Sequence, residues 1–164
     1  MNEDIRVGFG YDIHRFSKRR KLVLGGVHIP GASGLAAYSD GDVLYHALCD
    51  ALLGALGEGD IGQHFPSGDP RWKDVSSQVL VEKVMEKVRR AGARVSNVDC
   101  TLVALRPRIS LYREVMRNNV ARLLGIDSQN VNIKATTAER IGQLGHGRGI
   151  ACYTVVTLQQ ESKK

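Results

Sequence analysis

The stretch from Tyr38 to Gly62 constrains this chain more than any other. Ser39 or Asp40 can cap a helix there, and Asp42 falls in its first turn, where a carboxylate meets unpaired N–H groups and the positive end of the dipole. Leu44, Ala47, Leu48, Ala51, Leu52 and Ala55 recur at three- and four-residue intervals and lay an apolar stripe toward a core, which Gly57 and Gly59 end. Asp42, His46 and Asp50 stand one turn apart on another face. An imidazole near a helix start thus looks out between carboxylates, a place for a metal or an anion.

A helix this apolar needs a core to pack against. With 164 residues, 43% of them hydrophobic, and no sustained polar tract, the chain suits a single domain over 1–164 with a polar tail from about residue 159. The formal charge of +6 would suit nucleic acid, an acidic membrane surface or a small polyanionic substrate. Dispersed basic residues and only 5% aromatics speak against nucleic acid. Cys49, Cys100 and Cys152 are odd in number, far apart and without Cys-x-x-Cys spacing, so they read as reduced, buried thiols. Met1-Asn-Glu-Asp-Ile has no basic region leading into an apolar one, and no apolar run reaches membrane-spanning length. The expectation is a cytoplasmic protein with no membrane partner.

Before the helix, Ile5, Val7 and Phe9 alternate as in a strand with one buried face, and Asp12 and His14, two apart, project together from an extended segment. Lys21 to Pro30 reads as a short hairpin turning at Gly25-Gly26, with Gly31 to Ala37 leading into the helix. After it, Gly59 to Pro70 is too rich in Gly and Pro for a regular element and suits an active-site loop. Asp74 or Ser76 caps a second helix with an apolar stripe of Val75, Val79, Leu80, Val84 and Val88, closed by Gly92. Val98 to Leu105 is a strand, and Ser110 caps a third helix that includes Leu111 and Val115 and ends at Gly125. Val131 to Ala135 and Ile150 to Leu158 are strands, and the lysine-ended tail frays. Between those two strands Thr136, Thr137 and Glu139 precede a glycine-spaced loop able to donate to phosphate oxygens and hold a hard cation beside them.

If the first strand lies beside the start of the opening helix, Asp12, His14 and His46 converge as a zinc-competent set with a fourth position open for substrate. Asp42 or Asp50 would then orient His46 by a hydrogen bond. The plainer alternative leaves Asp12 capping a turn, His14 on the surface and His46 as a hydrogen-bonded helix residue. A zinc-dependent hydrolase of a small phosphorylated substrate is a further reading, although there is no His-Glu-x-x-His helix. A non-catalytic basic binding module is another.

Gly10-Tyr-Asp-Ile-His14, Gly25-Gly-Val-His-Ile-Pro30, Ser39-Asp-Gly-Asp-Val43 with His46, Asp50-Ala-Leu-Leu-Gly54, Gly59-Asp-Ile-Gly62, Phe65-Pro66, Asn97-Val-Asp99, Lys134-Ala-Thr-Thr137 with Glu139, and Gly149-Ile-Ala151 occur in order along nearly the whole chain. Together they resemble the 2-C-methyl-D-erythritol 2,4-cyclodiphosphate synthase family. The resemblance implies an α+β fold, a mixed sheet with helices packed on one face, assembled as a homotrimer with active sites between subunits. It also implies a metal-dependent lyase of isoprenoid precursor biosynthesis, in which the 2-phosphate of 4-diphosphocytidyl-2-C-methyl-D-erythritol 2-phosphate attacks the β-phosphorus of its own cytidine diphosphate and releases CMP.

By the same resemblance, Asp12, His14 and His46 hold Zn2+, and Glu139 helps hold Mg2+ or Mn2+ at the diphosphate. Asp60, Ile61 and Gly62 meet the methylerythritol portion. Ala104 to Ser110, including Arg108, border the cytidine and its phosphates with Ala135, Thr136 and Thr137. Ser39, Gln143 and His146 are further substrate-binding positions. Thr137 stands in the place of a transition-state stabiliser, and Tyr38 stands where the family commonly has a histidine. Tyr38 can still donate a hydrogen bond but cannot become a cation near neutral pH. Ser67 replaces the usual acid after Phe-Pro, His146 stands near the place of an arginine, and Arg108 keeps a charge usually supplied by lysine.

Overall fold

The computed structural model describes residues 3–161, and its longest element is β1, Glu3–Leu24. One strand of 22 residues takes the place of the two separate strands expected, because it serves two partners in turn. From Glu3 to Arg15 it pairs in unbroken antiparallel register with β5, Gly149–Glu161. Beyond Phe16 it pairs with β2, Val27–Leu35, after register shifts around Ser17 to Leu22. The expected turn at Gly25-Gly26 joins them, and β2 takes up most of the segment read as a lead-in to the helix. β3, Ala93–Val103, lies antiparallel to β5 and parallel to β4, Val131–Thr136. The sheet order is β2-β1-β5-β3-β4, a mixed sheet in an α+β fold.

Helix α1, Val43–Leu56, lies across β1 and β5. Its cap is Asp42, not Ser39 or Asp40. The Asp42 carboxylate accepts from Tyr45 N at 3.2 Å and also from Gly25 N and Gly26 N at 2.9 and 2.8 Å, so one buried side chain ties the hairpin turn to the helix start. Gly57 ends the helix at φ +75°. Val43, Tyr45, Cys49 and Leu53 are buried along with the expected stripe, so α1 is enclosed on nearly every side. Leu44, Leu48, Leu52 and Leu53 are fully buried, each contributing about 1.5–3 kcal/mol relative to exposure.

The face of β1 toward α1 is the reverse of the one expected. Ile5, Val7 and Phe9 are 69%, 63% and 61% exposed, while Gly8 and Gly10 are buried. The helix lies so close that a Cβ on Gly8 would overlap the Ala51 carbonyl, and one on Gly10 the Ala47 carbonyl. Only glycine fits there, so the larger residues turn outward. β5 shows the same division, with Ile150, Cys152, Val156 and Leu158 buried and Tyr153 and Val155 on the bare face.

Helix α2, Ile61–His64, is one turn inside the expected loop, capped by Asp60. In α3, Ser77–Arg90, Ser76 is the cap, and Val81 and Met85 fill the stripe, leaving Val75 and Val79 half-buried. α4, Arg113–Leu124, starts three residues after Ser110, which does not cap it. A 3-10 turn over Ile109–Leu111 intervenes, leaving Leu111 and Val115 exposed. α5, Gly142–Gly145, is another single turn. Gln159 and Gln160 remain in β5, paired with β1 and β3, so the strand outlasts the expected start of the tail; residues 162–164 lie outside those described.

Candidate metal centre and its clefts

Gly8, Gly10, Asp12 and His14 share one face of β1, and α1 runs antiparallel above them. Ala51 sits over Gly8 and Ala47 over Gly10, so His46 arrives beside Asp12 and His14. The two glycines are what allow the helix close enough for its imidazole to meet the strand. Asp12 Oδ2 lies 2.8 Å from His14 Nε2 and 3.0 Å from His46 Nδ1, and the two ring nitrogens are 2.9 Å apart. Among the described residues, these three are the ligand-type group close enough to share an ion, with ligand atoms within 4.8 Å of one another. Two imidazoles and one carboxylate, half-buried and opening on a cleft, could hold a metal ion with a position left open toward the cleft. The plainer reading, in which the three residues act separately, does not hold.

Burial by itself would raise the Asp12 pKa. The two imidazoles beside it, His14 and His46, outweigh burial and hold the carboxyl well below the usual carboxylate range. The residue arrives as an ionised ligand.

Neither Asp42 nor Asp50 orients His46, as expected from helical spacing. Asp42 is occupied by three backbone N–H groups, and burial pushes its pKa up to about 6 against their pull. Asp50 accepts from Ile61 N at 2.7 Å and so anchors α2; burial raises its pKa as well. His46 Nε2 instead meets Ser39 Oγ at 2.8 Å and Ser77 Oγ at 2.9 Å. Ser77 opens α3, and no spacing rule linked it to His46.

The cleft beside the three ligands has a volume of about 190 Å³ and is bordered by Tyr38, Ser39, Ile61, Gly62, Phe65 and Trp72, among others. The Phe65 and Trp72 rings meet edge to face at 5.0 Å and form an aromatic wall that sequence reading did not single out. Asp60 is exposed at the start of α2, its carboxylate accepting from Gln63 N at 3.0 Å.

The remaining candidates lie elsewhere. Ala104, Arg108, Ala135, Thr136 and Thr137 border a second cleft of about 560 Å³, to which Arg106, Ser110 and Arg113 also contribute. Thr137 Oγ1 donates to Glu139 Oε1 at 2.7 Å, and Glu139 and Arg140 both hold left-handed backbone, φ +48° and +63°. Gln143 borders a third hollow with His14 and Arg148, while His146 is exposed at the end of α5. β5 and β3 stand between β1 and β4, a separation of about 14 Å at roughly 4.8 Å per strand. Glu139 and Thr137 therefore do not join the Asp12 cluster within one chain.

Among the described residues, no helix is long and apolar enough to cross a membrane. Cys49, Cys100 and Cys152 are free and buried.

Residues 5–159 match the YgbB family. A 2-C-methyl-D-erythritol 2,4-cyclodiphosphate synthase of Syntrophomonas wolfei is 52% identical over 156 residues, which is 95% of this chain and 99% of that protein. The bifunctional IspDF of Campylobacter jejuni superposes with a TM-score of 0.93 at 40% identity, over 97% of this chain and 43% of that larger one. An IspF of Plasmodium falciparum, solved as a CDP complex, gives 0.84 at 32% identity over 96% of this chain and 97% of that one. The shared fold and the sequence match along nearly its full length show that this chain belongs to the YgbB family, alongside the 2-C-methyl-D-erythritol 2,4-cyclodiphosphate synthases.

Proposed function

We propose that the protein converts 4-diphosphocytidyl-2-C-methyl-D-erythritol 2-phosphate to 2-C-methyl-D-erythritol 2,4-cyclodiphosphate and CMP. The observation that carries this reading is the convergence of Asp12, His14 and His46 at the mouth of a cleft, in a chain whose relatives are named as such synthases. An oxygen of the 2-phosphate forms a bond to the β-phosphorus, the bond from that phosphorus to the bridging oxygen breaks, and the electron pair leaves with CMP. Both ends of the reaction belong to one substrate molecule, so no protein nucleophile is needed. Holding the two phosphates in contact contributes part of the roughly 7–11 kcal/mol that full proximity and orientation can supply, since both groups already belong to one molecule.

Asp12, His14 and His46 would hold Zn2+, and Glu139 would help hold Mg2+ or Mn2+; when bound, these ions supply Lewis-acid polarisation and charge neutralisation at the phosphates. Asp60 and the Ile61-Gly62 turn receive the methylerythritol hydroxyls. Tyr38 and Ser39 offer hydroxyl donors to the phosphate at the metal end. Arg108, with Ala104, Ala135 and Thr136, holds the cytidine diphosphate end. The Thr137 hydroxyl faces the charge that moves onto the departing CMP, and Gln143 and His146 contribute from the loop before β5. The CDP-bound Plasmodium falciparum relative supports a cytidine nucleotide in this role.

The strands that carry Asp12 and Thr136 lie about 14 Å apart in one chain by strand count. We therefore place each active site between two subunits of a homotrimer, one supplying the metal ligands and the next the nucleotide cleft. Ile5, Val7, Phe9, Tyr11, Ile13, Tyr153 and Val155 form a bare apolar sheet face of the kind that a subunit interface covers. Free buried thiols suit a reducing compartment, and we assign the protein to the cytoplasm. The synthase relatives give no support to the hydrolase alternative.

The test is turnover of the cytidylated substrate by protein loaded with zinc and magnesium. Stoichiometric CMP and cyclic diphosphate are expected, from a species of three chains by light scattering. Release of inorganic phosphate without cyclic product would overturn the reading.

A further inference from the structure

We propose that Asp40 and Ser77 form a positioning pair that fixes His46 in a single tautomer, with hydrogen on Nε2 and a bare lone pair on Nδ1. This inference rests on the reading of Asp12, His14 and His46 as metal ligands, and it concerns residues outside that set.

The case is one of hydrogen-bond accounting. Ser77 Oγ lies 2.5 Å from Asp40 Oδ1, and Ser77 N lies 3.0 Å from Asp40 Oδ2. An ionised carboxylate only accepts, so the one hydroxyl hydrogen of Ser77 points to Asp40. Ser77 is fully buried, so water offers its hydroxyl no alternative partner. What Ser77 Oγ turns to His46 Nε2, 2.9 Å away, is therefore a lone pair, and the contact is favourable only if Nε2 carries a hydrogen. Ser39 Oγ lies 2.8 Å from the same nitrogen and 3.2 Å from Ser77 Oγ, so it can accept that hydrogen while donating its own to Ser77 Oγ.

With Nε2 protonated in a neutral ring, Nδ1 is an acceptor 3.0 Å from Asp12 Oδ2. Two acceptors facing each other repel unless a cation sits between them, which is the state of a ligand ready for metal. The opposite tautomer would let Nδ1 donate to Asp12 and relieve that repulsion. It would also draw the Ser39 hydroxyl away from Ser77 Oγ to donate to Nε2, leaving the fully buried Ser77 oxygen facing the Nε2 lone pair with no donor, which is costly.

Asp40 is itself held. Its backbone N–H donates to Val75 O at 2.9 Å, and its Oδ1 also accepts from Asp42 N at 3.1 Å. Arg20 adds a clamp, donating to the Ser39 carbonyl and pairing with Asp74 at 2.6 Å. The first turn of α3 thus decides which nitrogen of an α1 histidine faces the cleft.

The experiment reads the ring nitrogens of His46 by ¹⁵N NMR in metal-free protein, at a pH where imidazoles are neutral, and zinc affinity by chelator competition. In the unmodified protein, Nε2 is expected to be protonated and Nδ1 bare. Ser77→Ala is expected to give a tautomer mixture and to weaken zinc by about 10- to 100-fold. Asp40→Asn keeps the size of the side chain but turns one oxygen into a donor. That frees the Ser77 hydroxyl to donate to Nε2 and shifts His46 toward the other tautomer. If folded Ser77→Ala and Asp40→Asn proteins both keep the tautomer and the zinc affinity, the pair has no such role. Normal zinc binding with the opposite tautomer would overturn the pair and leave the metal reading standing. The expected tautomer without zinc binding would do the reverse.

Discussion

The two clefts that the family resemblance assigns to one reaction are built in different ways. The metal end is tightly held: α1 is enclosed on nearly every side, the three ligand side chains are half-buried or better, and their ligating atoms lie 2.8 to 3.0 Å from one another. The end proposed for the nucleotide is open. Ala135, Thr136, Thr137, Glu139 and Arg108 are all exposed, and two successive residues of its loop hold left-handed backbone. One region is finished inside a single chain; the other presents donors to solvent and awaits a surface. On the proposed reading the difference has a reason: a metal site needs fixed geometry at every moment, whereas a diphosphate need only be gripped when it arrives and a neighbouring subunit stands opposite.

The sharpest way to break this comparison is His46→Ala. Zinc content is expected to vanish and CMP release to fall by about 10³-fold, in line with the several kcal/mol a Lewis acid supplies, while light scattering still reports the assembled species. Retained zinc and normal turnover would remove the ligand assignment.

Phe9→Asp tests the open end. A charge on the bare apolar face is expected to dissociate the proposed trimer and abolish most turnover, with zinc still bound by each separated chain. If a monomeric variant cyclised substrate at the normal rate, the two clefts would have to cooperate within one chain. Glu139→Gln is milder: about 10- to 100-fold slower turnover is expected, with zinc retained in metal analysis and a higher magnesium requirement.

The smallest effect is a pH slope in stability at the metal end. Asp42 ionises near pH 4 in the unfolded chain but only at about 6 when buried, so the folded state holds the proton longer. Its stabilising share is complete below pH 4 and is lost as pH rises through 6. Asp12 acts in the other direction: its lowered pKa gives stability that is present above pH 4 and lost as pH falls below it. Denaturant titrations of the Asp42→Asn protein and its parent are expected to differ in slope between pH 4 and 6 and to run parallel above that window.

Much of the frame was legible before any coordinates. The α1 pattern from Leu44 to Ala55, the stop at Gly57, the Gly25-Gly26 turn and the strands around Val131 and Ile150 all appear as read, because each depends on local periodicity or on backbone conformations that few residues adopt. The approach of Asp12 and His14 to His46 was legible only as a condition, that the strand lie beside the helix start.

The failures share a cause. The period of two in Ile5, Val7 and Phe9 marks two faces but does not say which one a helix covers, and the close fit of Ala47 and Ala51 over Gly10 and Gly8 gave the inner face to glycine. Helical spacing proposed Asp42 and Asp50 as partners of His46, yet backbone groups from the hairpin turn and from α2 had claimed both.

By itself, then, the amino-acid order determined where the chain bends, which segments are strand or helix, and which side chains are able to bind a cation. Only packing decided that His46 would be held from Ser77, 31 residues away in sequence, that the apolar side of β1 would stand bare, and that the two clefts would lie apart. Local conformation follows from bonded neighbours and short-range sterics. A buried hydrogen bond goes to whichever group the fold brings into reach, however distant along the chain.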